Sequence, residues 1–191
     1  MTNRILLAIA LAVPLRCAAE PETGGGTARP AGGGPAPAKL DVTSAAFKHM
    51  ELIPAEHTCD GGDRLVPLQI ANIPPAAKSL AIIVDDPDVP KTLRPDGNWD
   101  HWLIWNLPPA TSSIAHGGIP TSAVQGKNSW GRNDWGGPCP PDREHRYFFK
   151  VFALDTMLDL APSSGKQALE KAMEGHVLAK GEIVGRYDRK R

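Results

Sequence analysis

Ser79-Leu-Ala-Ile-Ile-Val84 is apolar almost throughout, and Asp85-Asp86-Pro87-Asp88-Val89-Pro90 follows it directly. An apolar run of this kind, stopped by acids and prolines, reads as a strand covered on both faces. Working outward, the neighbouring segments are strand-like too. Leu40–Phe47 alternates loosely, and Leu65-Val-Pro-Leu-Gln-Ile70 is a short strand whose proline suits an edge or a strand start. Asp100-His-Trp-Leu-Ile-Trp-Asn-Leu107 is aromatic and branched and is closed by Pro108-Pro109. His145-Arg-Tyr-Phe-Phe-Lys-Val-Phe-Ala-Leu154 is the longest candidate, and Glu182–Tyr187 is the last. Nineteen glycines and nineteen prolines place turns between them, as antiparallel connections demand. One helix is predicted over Gly165–Glu174, with Ser164 as its cap and Ala168, Leu169, Ala172 and Met173 on one face. Gly175 is placed to end it. The class is mostly β.

The N-terminus reads as an export signal. Arg4 is followed by the apolar run Ile5–Val13, too short to span a bilayer, and Cys17-Ala18-Ala19 offers small residues for cleavage. Cleavage near Ala19 gives a periplasmic or secreted protein with no transmembrane segment. Lipid attachment at Cys17 is the rival, disfavoured because Arg16 stands where a small residue is the norm. Residues 20–39 are so rich in Gly, Pro and Ala that a disordered tether is expected, with the folded domain over 40–191.

Charge excludes one class of partner. Lys plus Arg (21) equals Asp plus Glu (21), so no global field draws the chain to nucleic acid. Signal removal takes Arg4 and Arg16 and leaves 19 bases against 21 acids.

Three polar clusters stand where strands end: Asp86 to Asp88, His101 between Asp100 and Trp102, and His145-Arg146-Tyr147 after Gly137-Pro-Cys-Pro-Pro141. Carboxylates beside histidines orient the rings and favour their protonation. Imidazolium, a tyrosine hydroxyl and backbone N–H groups then form a receptor for a phosphate-like oxyanion. On this reading affinity rises as pH falls through the histidine range. Each cluster also has a plainer reading, as a strand cap or a hydrogen-bonded wall.

Asp86-Pro-Asp88-x-Pro90, His101-Trp102, Gly137-Pro-x-Pro-Pro141 and His145-Arg-Tyr147 resemble, in order and interval, the signature of the phosphatidylethanolamine-binding protein family. Thr58-Cys-Asp-Gly61 and Gly175-His-Val-Leu-Ala179 add to the likeness, which runs from about Phe47 to Tyr187 and is nearest the bacterial YbhB/YbcL, Raf kinase inhibitor-like branch. The resemblance implies a large antiparallel sheet packed on a smaller one in a Greek-key arrangement, with a few short peripheral helices. It also implies a pocket free of metal and cofactor, formed by Asp86, Asp88, His101, Pro138, His145 and Tyr147, that binds a phosphate ester or phospholipid headgroup without turnover. Two positions depart from the pattern. Asp142-Arg143-Glu144 stands where a glycine is usual, and Val89 replaces the commoner alanine.

The rival functions are weaker. A metal hydrolase would want a His-Glu-x-x-His or its like, and none appears. Gly126-Lys-Asn-Ser129-Trp-Gly131 has one residue too many for a nucleophile elbow. An inhibitor of an envelope or extracellular protease, or of another protein partner, is the alternative to ligand binding. Cys59 and Cys139 are the cysteines left after signal removal. In an oxidising compartment they form either a disulfide that steadies the pocket wall or two buried thiols.

Overall fold

β4 (Ser79–Asp86) is buried at all eight positions, because the twofold alternation of a strand sends its side chains into two separate cores. Leu80, Ile82 and Val84 point into the larger core, and Ala81 and Ile83 into the smaller. The computed structural model that shows this describes residues 36–115 and 118–189. The expected signal segment and most of the expected tether lie outside those residues.

Among the described residues, nine strands and one α-helix follow one another: β1 (Ala38–Lys39), β2 (Asp41–Thr43), β3 (Leu68–Ala71), β4, β5 (Trp99–Leu107), β6 (Ser113–Ile114), β7 (Val124–Gln125), β8 (His145–Leu154), α1 (Lys166–Met173) and β9 (Val177–Tyr187), with a single 3-10 turn at Ala55–His57 between β2 and β3. Six strands form one sheet in the order β1-β9-β8-β4-β5-β7, and β2-β3-β6 form a second. β8 returns beside β4 across a long connection, the Greek-key move. The sheets enclose the larger core, in which the rings of Phe47, Trp102 and Phe149 pack together with the partly buried Trp135. On the opposite face α1 seats Leu169 and Met173 against Ala81, Ile83, Leu103 and Trp105. Complete burial of a leucine such as Leu169 stabilises that seat by roughly 1.5–3 kcal/mol.

Several boundaries differ from the sequence reading, each for a physical reason. Ala38 and Lys39 belong to the fold rather than to the tether. They pair in parallel with Ala179 and Lys180 on the free edge of β9, a backbone pairing that composition does not reveal, and buried Leu40 anchors it. The large sheet is therefore antiparallel except at this edge. The strand expected over Leu40–Phe47 shrinks to Asp41–Thr43. Beyond it the Ser44 hydroxyl donates to the Pro67 carbonyl (2.7 Å) and accepts from Ala46 N–H (3.1 Å), which turns the chain out of the sheet. Gly165, not Ser164, occupies the N-cap of α1, without a side-chain bond. Ser164 lies one residue too early, and its carbonyl accepts from Lys127 N–H instead. Gly175, with φ 78°, ends the helical segment as expected.

Two β-bulges matter more. Between the pairs Leu80↔Leu107 and Ile82↔Ile104, β5 carries an extra residue. Asn106 there has φ 59° and exchanges two hydrogen bonds with the Leu158 backbone. Between Val84↔Trp102 and Asp85↔Asp100 the extra residue is His101. A bulge re-aims a side chain, and this one brings His101 against Tyr147 of β8.

Candidate functional site

The ends of β4, β5 and β8 meet where the larger core gives way to polar side chains. Alternation separates the adjacent acids of β4. Asp85 shares a face with Ala81 and Ile83, where Lys150 and Lys166 pair with it. Asp86 shares the other face, with Val84 and, from β8, His145 and Tyr147.

Asp86 is almost completely buried. One oxygen accepts from Asp88 N–H (2.8 Å), which stiffens the Asp-Pro-Asp turn, and the other faces His145 Nδ1 at 2.7 Å. Burial pushes this carboxyl above its ordinary range, and the His145 contact only partly offsets that. The Nε2 of His145 faces a second carboxylate, Asp142, at 2.8 Å. Asp88 does not orient a histidine, as the sequence reading had it. It takes the backbone N–H of Arg146 (3.0 Å) and, as a fork, its Nε (2.8 Å) and Nη2 (2.7 Å). That fork holds Asp88 below the usual carboxylate range.

His101 also departs from expectation. Its Nδ1 lies 2.7 Å from the Gly136 carbonyl, so Nδ1–H donates there and Nε2 keeps a lone pair. Burial lowers its pKa to about 4, which makes the ring neutral and an acceptor near pH 7, not an imidazolium donor. Tyr147 packs edge-on to His101 at 5.2 Å. Its hydroxyl is buried: the Cys139 backbone N–H is directed at the oxygen, but no acceptor is in place for the hydroxyl proton. Burial first, and then the charges of Asp86 and Asp88, push its pKa well above the ordinary range. It is a neutral O–H donor in search of an acceptor.

The third side is the segment Gly136–Pro141. A Cβ on Gly137 would lie 2.4 Å from the His57 carbonyl oxygen, so only glycine lets the chain pass. Its N–H donates to Asp63 at 2.6 Å. Pro138 is buried, and its carbonyl accepts from Cys59 N–H (3.1 Å). Cys59 and Cys139 are bridged, their Cα atoms 5.4 Å apart.

These elements surround a cavity of about 240 Å³. Of the six nominated residues, Asp86 and His101 line it. Tyr147 adjoins His101, His145 is held between Asp86 and Asp142, the Pro138 carbonyl is tied to Cys59 N–H, and Asp88 is turned to Arg146. Much of the apolar lining comes from residues that the sequence reading did not nominate, Trp99, Trp130 and Leu93, besides Cys139, which that reading placed in the wall, and Val89 and Pro141. Trp99 and Trp130 meet edge-to-face at 5.2 Å. Their aromatic character was visible in the sequence, but nothing local linked residue 130 to residue 99. Of two wider clefts, one of about 550 Å³ is bordered by Asp100 and Lys166 near the start of β5, and one of about 840 Å³ lies beside β1, β2 and β9. Among the described residues no three His, Cys, Asp or Glu side chains are placed to hold a metal ion, and no helix is long and apolar enough to cross a membrane.

The model of the phosphatidylethanolamine-binding protein family matches residues 43–188. A UPF0098 protein of Pyrococcus horikoshii is 46% identical over 169 residues, which cover 83% of this chain and 81% of the relative. Among solved structures, the putative phosphatidylethanolamine-binding protein homologue of Chlamydia trachomatis superposes with a TM-score of 0.77 at 41% identity, over 80% of this chain and 99% of its own. YbcL of E. coli, described as a member of the mammalian family, gives 0.71 at 33% identity over 80% and 100%. With the strand-end motifs and the two-sheet architecture in agreement, the chain belongs to the phosphatidylethanolamine-binding protein family.

Proposed function

We propose that this protein is an exported, non-catalytic binder of a small ligand that carries a phosphate group, seated in the cavity between Asp86, His101 and Trp130. The observation that carries this reading is the Tyr147 hydroxyl. Its proton has no acceptor in place; a buried donor left unsatisfied costs about 1–3 kcal/mol, and a phosphate oxygen is an acceptor that relieves it. The neighbouring acceptors set a further condition. Neutral His101 keeps its Nε2 lone pair, and Asp86 presents a carboxyl. A singly protonated phosphate supplies both a proton for such an acceptor and oxygens for Tyr147, whereas a dianion is repelled by Asp86. Trp99, Trp130 and Leu93 suit the apolar part of an ester. Turnover has no support in the lining, since Cys139 is locked in its disulfide. The Cys59–Cys139 bridge and the Arg4–Val13 pattern both favour export.

Calorimetric titration with phenyl phosphate from pH 5 to 8 is the test. Affinity is expected to rise as pH falls through about 6, where a phosphomonoester dianion takes up one proton. No binding across that range would refute the reading.

A further inference from the structure

His145 has one nitrogen on each of two carboxylates, and the two are held very differently. Asp86 is sealed in, fixed by the Asp88 N–H as well. Asp142 is on the loop between Pro141, which lines the cavity, and the start of β8, and its side chain is 41% exposed. Its other tie is to Arg143 (2.8 Å), itself exposed, which reaches the Asp88 carbonyl at 3.3 Å. Exposed pairs of this kind contribute little. The His145 side chain has no accessible surface, and the Asp142 carboxylate stands directly on its Nε2. A carboxylate oxygen and a phosphate oxygen make the same kind of short, charge-assisted bond to an imidazole N–H.

We propose that Asp142 is a built-in competitor for the pocket: its carboxylate occupies the place at His145 Nε2 that a ligand oxyanion takes, and binding displaces it. This rests on the oxyanion reading above. The other groups facing His145 are fixed by the sheet. Asp88 is forked by Arg146, His101 is bonded to Gly136, Tyr147 is buried, and Tyr187, opposite His145 on β9, donates to Asp60 (2.7 Å). Only the loop that carries Asp142 and Arg143 is free to move away without breaking strand pairing. The wild-type affinity is then the net of ligand against internal carboxylate, and removal of the carboxylate strengthens binding.

The experiment is titration of inorganic phosphate at pH 6 into wild type, Asp142→Ala, Asp142→Asn and Asp142→Glu, with a thermal melt of each. Asp142→Ala is expected to bind about fivefold tighter, the scale of one exposed ion pair in affinity. Its melting temperature should be unchanged or lower. That opposition of sign marks a competitor, because a residue that merely shapes the site would lose affinity together with stability. Asp142→Asn keeps a side chain over Nε2 without the charge and should also bind tighter, which holds the test if the alanine variant does not fold. Asp142→Glu should stay near wild type. Variants that bind no better than a wild type that does bind would overturn the competitor and leave the oxyanion reading standing. If phosphate binds none of the four, both fall.

Discussion

Asp86 and His145, 59 positions apart in the chain, meet through a 2.7 Å contact between Oδ2 and Nδ1 with both side chains closed to solvent. The pair binds the end of β4 to the start of β8, and it makes His145 part of the framework rather than a solvated pocket wall. His145→Ala is therefore expected to destabilise the protein by about 3–5 kcal/mol, because it leaves a desolvated carboxylate without its partner. Urea unfolding monitored by tryptophan fluorescence checks this. A loss under 1 kcal/mol would mean that water reaches Asp86 freely in the variant.

Tyr147→Phe should behave in the opposite way. It removes a buried hydroxyl whose proton has no acceptor, and with it the oxygen toward which the Cys139 N–H is directed, so stability is expected to change little. Phosphate binding, however, should weaken by roughly 0.5–1.5 kcal/mol, the net value of one hydrogen bond. Parallel melts and titrations separate the two effects. Unchanged affinity would show that the hydroxyl never meets the ligand.

His101 links stability to pH. Its pKa is lowered to about 4 by burial in the folded state, against 6.5 for the unperturbed group. Between those values the unfolded chain takes up a proton that the folded ring does not. Stability is therefore lost as pH falls from 6.5 to about 4, by about 3 kcal/mol for this group. Asp86 and Asp100, raised by burial, bind protons more tightly when folded and oppose part of that loss. Urea unfolding at pH 7 and 4.5 should show a steeper decline in wild type than in His101→Gln. Equal declines would show that the folded protein admits the proton.

The Cys59–Cys139 bridge closes a loop with a sequence separation of 80, for which chain entropy assigns stabilisation of about 4 kcal/mol. Unreduced protein that has been unfolded should show no reactive thiol at these two positions by mass mapping. Reduction should lower the melting temperature, and it should also weaken ligand binding, because Cys139 lines the cavity. Two labelled thiols in unreduced protein would rule the bridge out.

Local pattern was enough for the strands that matter most. The apolar run of β4, and the alternation of β8 with its start at His145 and end at Leu154, were legible because each strand repeats its environment every second residue. The order of Asp-Pro-Asp, His-Trp, Gly-Pro-x-Pro-Pro and His-Arg-Tyr identified the family for the same reason: each motif is a continuous strand end or turn. Tertiary structure decided the partnerships. Asp85 and Asp86, neighbours in sequence, serve opposite faces of one sheet. A bulge absent from any local pattern aims His101 at Tyr147, and burial strips it of the proton that its chemistry would allow. Asp88 found Arg146, and Asp142 found His145. Such pairings depend on strand register and on desolvation, which arise only when segments far apart in the chain are packed together.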